Sequence, residues 1–300
     1  MLRRVREWIF WRIQGLRYRG FAGYLTLLDW LHLPIKTRYG FRWVPTFDEN
    51  SIHSFFHREH FLEESDLRFV ARFLQEGDLF IDIGAHHGIY SLLAALCVKP
   101  SGKVISFEPS PRERARLLRN IAVNNLEEII HVEPYALADK KGEATLFLAP
   151  YYESGMNSLR PPNVTTFSHS TPITVQTHTL DDYVREHSIQ SIRLIKMDAE
   201  GAELSILRGS INVVTRIRPV WLIEVATQRT LPWGYAAEEV IRFLETHGYQ
   251  WYITQKEGLQ PFRYTPGTAL GRNYLAIPEE QVDSILAYLE KKPFQGFPKS

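Results

Sequence analysis

Three hundred residues with 44% apolar content and 13% aromatics can bury a large core, so disordered and collagen-like chains are excluded. Thirty-five Lys and Arg against 34 Asp and Glu leave a formal charge of +1, which offers no global attraction to a polyanion and argues against nucleic acid as a partner. The single cysteine, Cys97, excludes an intrachain disulfide and a cysteine zinc site; its setting in SLLAALCV reads as a small buried hydrophobe.

At the N-terminus, Leu2, Val5, Ile9, Ile13 and Leu16 fall at helical spacing, with Arg3, Arg4, Arg6 and Arg12 largely on other faces. Such a helix can pack its stripe on the protein body or lie on anionic lipid, which makes residues 1–33 the candidate for peripheral membrane contact. The start, with basic residues but no uninterrupted apolar core followed by a small-residue cleavage site, does not read as a secretory signal, and the apolar segment from Phe21 to Leu33, broken by Asp29 and His32, is too short to cross a bilayer core of ~30 Å. The expected location is therefore the cytoplasm. Residues 1–60 are expected as a helical or irregular extension, and residues 61–300 as one α/β domain with an insertion at 143–180.

Apolar spacing predicts a helix from Leu62 to Leu74, stopped by Gly77. Short apolar runs follow at 78–84, 103–109, 129–137, 193–201 and 220–226; helical patterns lie at Ile89 to Val98, Pro111 to Asn124 and Ala202 to Ser210. That alternation predicts right-handed βαβ units in a doubly wound, mostly parallel sheet. Alternating TLFLA and ITVQTHTL flank a polar middle at 150–172, read as a hairpin-like insertion, with a helix from Asp181. A helix at Ala236 to His247, the strands GYQWYIT and RNYLAIP as an antiparallel final pair, and a helix from Gln281 to Lys291 complete the chain.

Chemistry concentrates in FIDIGAHHGIYS. Asp82 ends the first strand of the sheet, and Gly84 and Gly88 frame Ala85 at the turn into a helix, where backbone can approach a ligand closely. The close glycine pair of a dinucleotide fingerprint is missing, which disfavours a pyrophosphate cradle. Glu108 ends the second strand twenty residues after Gly88, where a carboxylate can accept two hydrogen bonds from ribose hydroxyls. Together these residues point to a nucleoside-bearing cofactor.

The segments DLFIDIGAHHGIYSLLAA, VISFEPSPRERARLLRNIAVNN, EPYALADKKGEATL, HTLDDYV and above all LIKMDAEGAELSILRGS, followed by WLIEV, resemble the FkbM-type methyltransferase family in order and spacing over residues 78 to about 226, and the late NYLAIP is similar too. The resemblance implies a class I methyltransferase (Rossmann-like) fold and transfer of a methyl group from S-adenosyl-L-methionine to oxygen, on a sugar, glycolipid, polysaccharide or natural product. It places Asp82, Gly84, Ala85 and Gly88 at the cofactor turn, Glu108 on the ribose, Ala136 and Leu137 near the adenine, and Lys196, Asp198 and Glu200 beside the transferred methyl. His86 and His87 depart from the family pattern, which more often has an asparagine and a small or apolar residue there.

Deprotonating an alcohol calls for a general base, and Asp198, Glu200, Glu224 and His86 are candidates by location, with Asp198 preferred. Asp198 could equally cap the helix starting near Gly201, and Glu200 and Glu203 could serve only the helix dipole. Lys196, charged on an apolar strand, needs a partner. Although the trio Asp198, Glu200 and Glu224 has oxygens suited to magnesium, no histidine accompanies it at matching spacing, and no metal is expected. Tyr151, Tyr152, Asn157, Ser158 and His169 make the insertion a candidate lid over a small-molecule or glycan acceptor. The competing readings are an NAD-dependent oxidoreductase and a non-catalytic membrane-associated module.

Overall fold

The computed structural model describes residues 30–46, 64–161 and 169–298, so the basic helix expected at 2–16 and residues 47–63 lie outside the described part. In chain order the elements are β1 (Ile35–Lys36), β2 (Arg42–Trp43), α1 (Glu64–Phe73), β3 (Leu79–Ile83), α2 (Ile89–Val98), β4 (Lys103–Phe107), α3 (Pro111–Ala122) and β5 (Ile130–Glu133). The insertion follows as β6 (Ala136–Leu137), β7 (Gly142–Leu148) and β8 (Thr171–His178). Then come α4 (Leu180–Glu186), β9 (Leu194–Met197), α5 (Glu203–Arg208), β10 (Val220–Ala226), α6 (Glu238–Glu245), β11 (Tyr249–Thr254), β12 (Leu259–Phe262), β13 (Gly271–Pro278) and α7 (Val282–Lys291).

The main sheet runs β12-β11-β13-β10-β9-β3-β4-β5. Strands β5, β4, β3, β9 and β10 are parallel, and β13 enters antiparallel between β10 and β11, as the doubly wound class I layout requires. One short strand was not anticipated: β12 folds back on β11 through Gln255 and Gly258 and extends the edge. Because connections step outward in both directions from the β3/β9 junction, the chain switches direction there, and the carboxyl ends of β3, β4, β9 and β10 surround a crevice where ligands of open α/β sheets bind.

Both faces of the parallel strands are covered, so their residues alternate between two cores rather than between core and water. Phe80 and Leu194 join α1, α2 and α7 residues such as Val70, Leu93 and Ile285; Ile81, Ile83, Ile195 and Met197 join Leu180, Leu204 and Val240 from the helices opposite. Helix α2 is buried on nearly all sides, which its run of apolar residues dictates, and Cys97 packs at the edge of the first core with its thiol pushed up to about 12 by burial.

Two expected strands are shorter than their apolar runs. The run 129–137 breaks after Glu133, and Ala136 and Leu137 leave the main sheet to pair with β8, which also pairs antiparallel with β7. The run 193–201 ends as a strand at Met197, because Glu200 and Gly201 adopt left-handed conformations (φ 51° and 97°) that no strand accommodates. Residues 162–168 of the insertion lie outside the described part.

Candidate functional site

Gly84 makes the crevice possible. At φ 76° a Cβ there would approach the Asp198 carbonyl oxygen to 1.9 Å, so only glycine lets the turn after β3 pass the end of β9. Gly84 and Ala85 donate their N–H groups to the Phe107 carbonyl (3.0 and 3.1 Å), and the Asp198 N–H donates to that of Ile83 (3.0 Å), which sews three strand ends together. Gly88 has a different duty: a Cβ would strike Leu117 Cδ1 at 2.4 Å, so this glycine lets the start of α2 pack against α3.

The same turn presents the His86 N–H to Glu108 Oε2 at 2.8 Å, and Ser110 N–H donates to Oε1 at 2.8 Å. Each carboxylate oxygen thus spends one lone pair on backbone and keeps another. Burial pushes the Glu108 carboxyl up to about 8. Glu108 shares a pocket with Gly84, His86, Tyr135, Ala136, Leu137, Leu146, Ala202 and Ile206, joined by Asp198 and Glu200 from the end of β9. Its lining combines three carboxylates with apolar side chains.

Asp82 does not line this pocket. In register it pairs with Ser106 and Lys196, and the twofold alternation of a strand turns it toward α2, where it accepts from Ser91 Oγ (2.5 Å) and Ser91 meets Ser106 (2.8 Å). Burial raises its carboxyl to about 6, against the pull of Ser91 and Lys196. Asp82 therefore sits opposite Lys196 in the sheet rather than in the crevice wall. Gly88 and Ala85 likewise stay outside the lining.

At the opposite end, ligating oxygens of Asp198, Glu200 and Glu224 lie within 4.8 Å of one another. Two cations hold them: Lys196 Nζ lies 3.4 Å from Asp198 Oδ2, and Arg229 Nε lies 2.9 Å from Glu200 Oε2. Burial raises the Asp198 carboxyl, yet Lys196 and a hydrogen bond from Glu224 outweigh it and hold the group below its ordinary value. The negative charge of Asp198, with burial, drives the Glu224 carboxyl far upward, and the two carboxyl groups share a hydrogen bond. Burial and Asp198 together push Glu200 up to about 8.

The helix-cap reading of Asp198 gives way to Glu203. Its carboxylate accepts from Ala199 N (2.9 Å) and Gly201 N (3.3 Å), and α5 begins after Ala202 without a side-chain cap. The left-handed turn that results is braced from outside by Trp233 Nε1 and Ser158 Oγ on the Glu200 carbonyl (3.2 and 2.9 Å) and by Tyr235 Oη on that of Gly201 (2.6 Å). Such backbone strain persists only where surroundings enforce it, and here it aims Glu200 at Arg229.

The insertion lies across both parts of the crevice. Ser154, Gly155, Asn157 and Leu159 roof the Glu108 pocket, while Met156, Ser158 and Arg160 border a wider cleft of about 1170 Å³ that Glu200, Glu224, Gln228, Arg229 and Tyr264 also line. Ser154 Oγ meets His86 Nε2 (2.9 Å), and Asn157 Nδ2 donates to Glu113 Oε2 (3.0 Å). With these clips closed the Glu108 pocket encloses about 80 Å³, short of the ~300 Å³ of the smaller ligand pockets; any nucleoside entering must lift the roof. The sequence expectation had set this segment over the acceptor alone. Tyr151 instead receives the Arg116 guanidinium (4.4 Å), and His169 is exposed.

Arg229 and Asn273 were missed. Arg229 stands in no motif, whereas Asn273 is a polar residue inside the apolar run NYLAIP and could have been flagged as a buried group needing partners. Among the described residues no helix is long and apolar enough to cross a membrane.

Against known proteins, a family model described as the Methyltransferase FkbM domain matches residues 82–251. The chain is 28% identical over 167 residues to the 2-O-methyltransferase NoeI of Sinorhizobium fredii, covering 51% of this chain and 66% of that protein. With the hexuronic acid methyltransferase AglP of Haloferax volcanii it shares 23% identity over 163 residues, 54% of this chain and 62% of that one. Each match thus spans slightly less than two thirds of the relative's length. A crystal structure of Methyltransferase FkbM from Methylobacillus flagellatus aligns at 17% identity and a TM-score of 0.42, covering 68% of this chain and 44% of that one.

Proposed function

The chain belongs to the FkbM methyltransferase family, and on that premise we propose that it transfers a methyl group from S-adenosyl-L-methionine to a hydroxyl oxygen of a sugar, glycolipid, polysaccharide or natural product. One observation carries the reading: Glu200 lines both the Glu108 pocket and the wider cleft, so a nucleoside site and an acceptor site meet at a carboxylate cluster.

The chemistry of the pocket suits the cofactor. Glu108 has a free lone pair on each oxygen for two ribose hydroxyls, and Ala136, Leu137, Leu146 and Ile206 offer a flat apolar wall to a purine. S-adenosylmethionine supplies, when bound, an electrophilic methyl group on a positively charged sulfur. The ionised Asp198 lies where that charge would be neutralised, and its side chain keeps 34% exposure at the mouth of the site.

An attacking alcohol must line up behind the methyl carbon and lose its proton as it does so. Asp198, held below its ordinary value, is the proposed base; the Lys196 ammonium and the hydrogen bond with Glu224 fix the orientation of its carboxylate. Arg160, at the border of the cleft, lies over the Trp233 ring (4.6 Å), and within the cleft Tyr264 and Gln228 offer groups that stack on and hydrogen-bond a sugar. The names of the relatives NoeI and AglP, a 2-O-methyltransferase and a hexuronic acid methyltransferase, point the same way.

Thermal shift with S-adenosylmethionine, S-adenosylhomocysteine and NAD tests the cofactor, since a ligand that binds only the folded state raises its stability by mass action. Stabilisation by the first two and not by NAD is expected; stabilisation by NAD alone would sink the proposal. Mass analysis of lysate material that acquires an isotopically labelled methyl group then identifies the acceptor.

A further inference from the structure

Behind the carboxylate cluster a line of buried side chains runs through the first core. Thr254 Oγ1 donates to Asp66 Oδ1; Asn273 Nδ2 donates to Asp66 Oδ2 (2.9 Å); Lys196 Nζ donates to Asn273 Oδ1 (3.0 Å) and, at 3.4 Å, to Asp198 Oδ2. Asp66, Asn273 and Thr254 are each 6% exposed and Lys196 1%, so the bonds among these four lie away from water, and only the last bond, to the half-buried Asp198, reaches it. The four residues come from α1, β11, β13 and β9, far apart in sequence.

The polarity of the line admits few substitutes. An ionised Asp66 only accepts and an ammonium only donates, so the residue between them must donate on one side and accept on the other, as a primary amide does. Aspartate at 273 would set two carboxylates side by side, and an apolar residue would leave Asp66 short of a donor and Lys196 short of an acceptor. The register of the sheet explains the placement: β13 runs antiparallel to β10 with Asn273 opposite Glu224, and β10 sets Leu222 opposite Lys196. Asp82 faces the same ammonium from β3, opposite it in register, and the Tyr90 ring lies 5.1 Å from Nζ.

We propose that Asn273, anchored by Asp66 and Thr254, is a positioning residue that holds the Lys196 ammonium against Asp198, so that helix α1 and strands β11 and β13 set the charge balance of the methyl-transfer site. The functional half of this inference rests on the reading given under Proposed function; the positioning half does not. Removing the amide frees the ammonium to leave the Tyr90 ring and turn toward Asp82 or Asp198, which changes the charge felt by a cationic ligand without touching Glu108 or the backbone amides that hold it.

Nuclear magnetic resonance of protein carrying carbon-13 lysine tests the positioning, with the Lys196 signal assigned by its loss in Lys196→Met. The Hε protons near the Tyr90 ring should resonate upfield of the exposed lysines, move toward them in Asn273→Ala, and move less in the same direction in Thr254→Val, with the other lysine signals unchanged. Calorimetry supplies the functional readout. S-adenosylmethionine and S-adenosylhomocysteine differ by a methyl group and the sulfur's charge, and the ratio of their affinities should change about threefold or more in Asn273→Ala, as a modest change in a nearby charge would cause, while S-adenosylhomocysteine binding stays nearly constant.

An unmoved Lys196 signal in folded protein overturns the proposal, as does a moved signal with an unchanged ratio. Should Asn273→Ala fail to fold, Thr254→Val decides on both readouts. If neither ligand binds the wild-type protein, the functional reading falls with its half of the inference, and the lysine signal still judges the positioning.

Discussion

Glu108 and the cluster of Asp198, Glu200 and Glu224 border one crevice, yet they are held in different ways. Glu108 is fastened by the amides of His86 and Ser110, which cannot move without unfolding the turn. The cluster is fastened by side chains, Lys196 and Arg229, and by the hydrogen bond between Glu224 and Asp198. Fixed amides suit a group that must offer the same acceptors at every encounter; side-chain cations and a movable proton suit one whose ionisation changes during a reaction. The proposed division into binding and reacting carboxylates can be tested from both ends.

The largest effect is expected from Asp198→Asn. Loss of a general base should lower methyl transfer by roughly 10²–10⁴-fold, measured with labelled cofactor on lysate acceptors, while S-adenosylhomocysteine affinity changes little. An equal loss of affinity would place Asp198 with the binding carboxylates instead. Glu108→Ala should do the reverse: calorimetry should find S-adenosylhomocysteine binding weakened by ~1–3 kcal/mol, the worth of two hydrogen bonds to a neutral group.

A pH series sharpens the same division. Glu108 rises from 4.5 to about 8 on folding, so the folded protein keeps a proton that the unfolded chain has released. Its contribution is fully present below the unfolded value and is lost as pH rises through the folded one. The melting temperature of the ligand-free protein should therefore fall across this range, and Glu108→Gln should flatten part of the slope; an unaltered slope would assign the effect to Glu200 and Glu203, which are raised to about 8 and 7. The smallest effect is reserved for the roof: Ser154→Ala removes one clip, to the His86 ring, and should speed S-adenosylhomocysteine release a few-fold, about the worth of one neutral hydrogen bond, in stopped-flow dissociation.

Much of the site was legible because local sequence governs it. The glycine of a left-handed turn, the acid ending β4 and the motif KMDAEGAE are each set by a few adjacent residues, and the alternation of strand and helix patterns follows from periodicity. Asp82 shows where such reading stops. Its position at a strand end suggested a ligand contact, but its side of the sheet depends on which neighbours the strand acquires, and pairing with Ser106 and Lys196 turns it inward. The short strand β6 was hidden for a similar reason: an apolar run cannot state that its last two residues will pair with a strand some forty residues on.

The sequence by itself determined the family, the doubly wound order of elements and the residues of the glycine turn, since each rests on contacts between near neighbours or on a period within one segment. Only the tertiary structure decided that Glu203 rather than Asp198 takes the amides of the turn, that the insertion roofs the Glu108 pocket as well as the cleft, and that Lys196 is tied through Asn273 to Asp66. Those arrangements join residues from 4 to 207 positions apart, and the longer ones come into being only when strands with no local preference for one another take their places in the sheet.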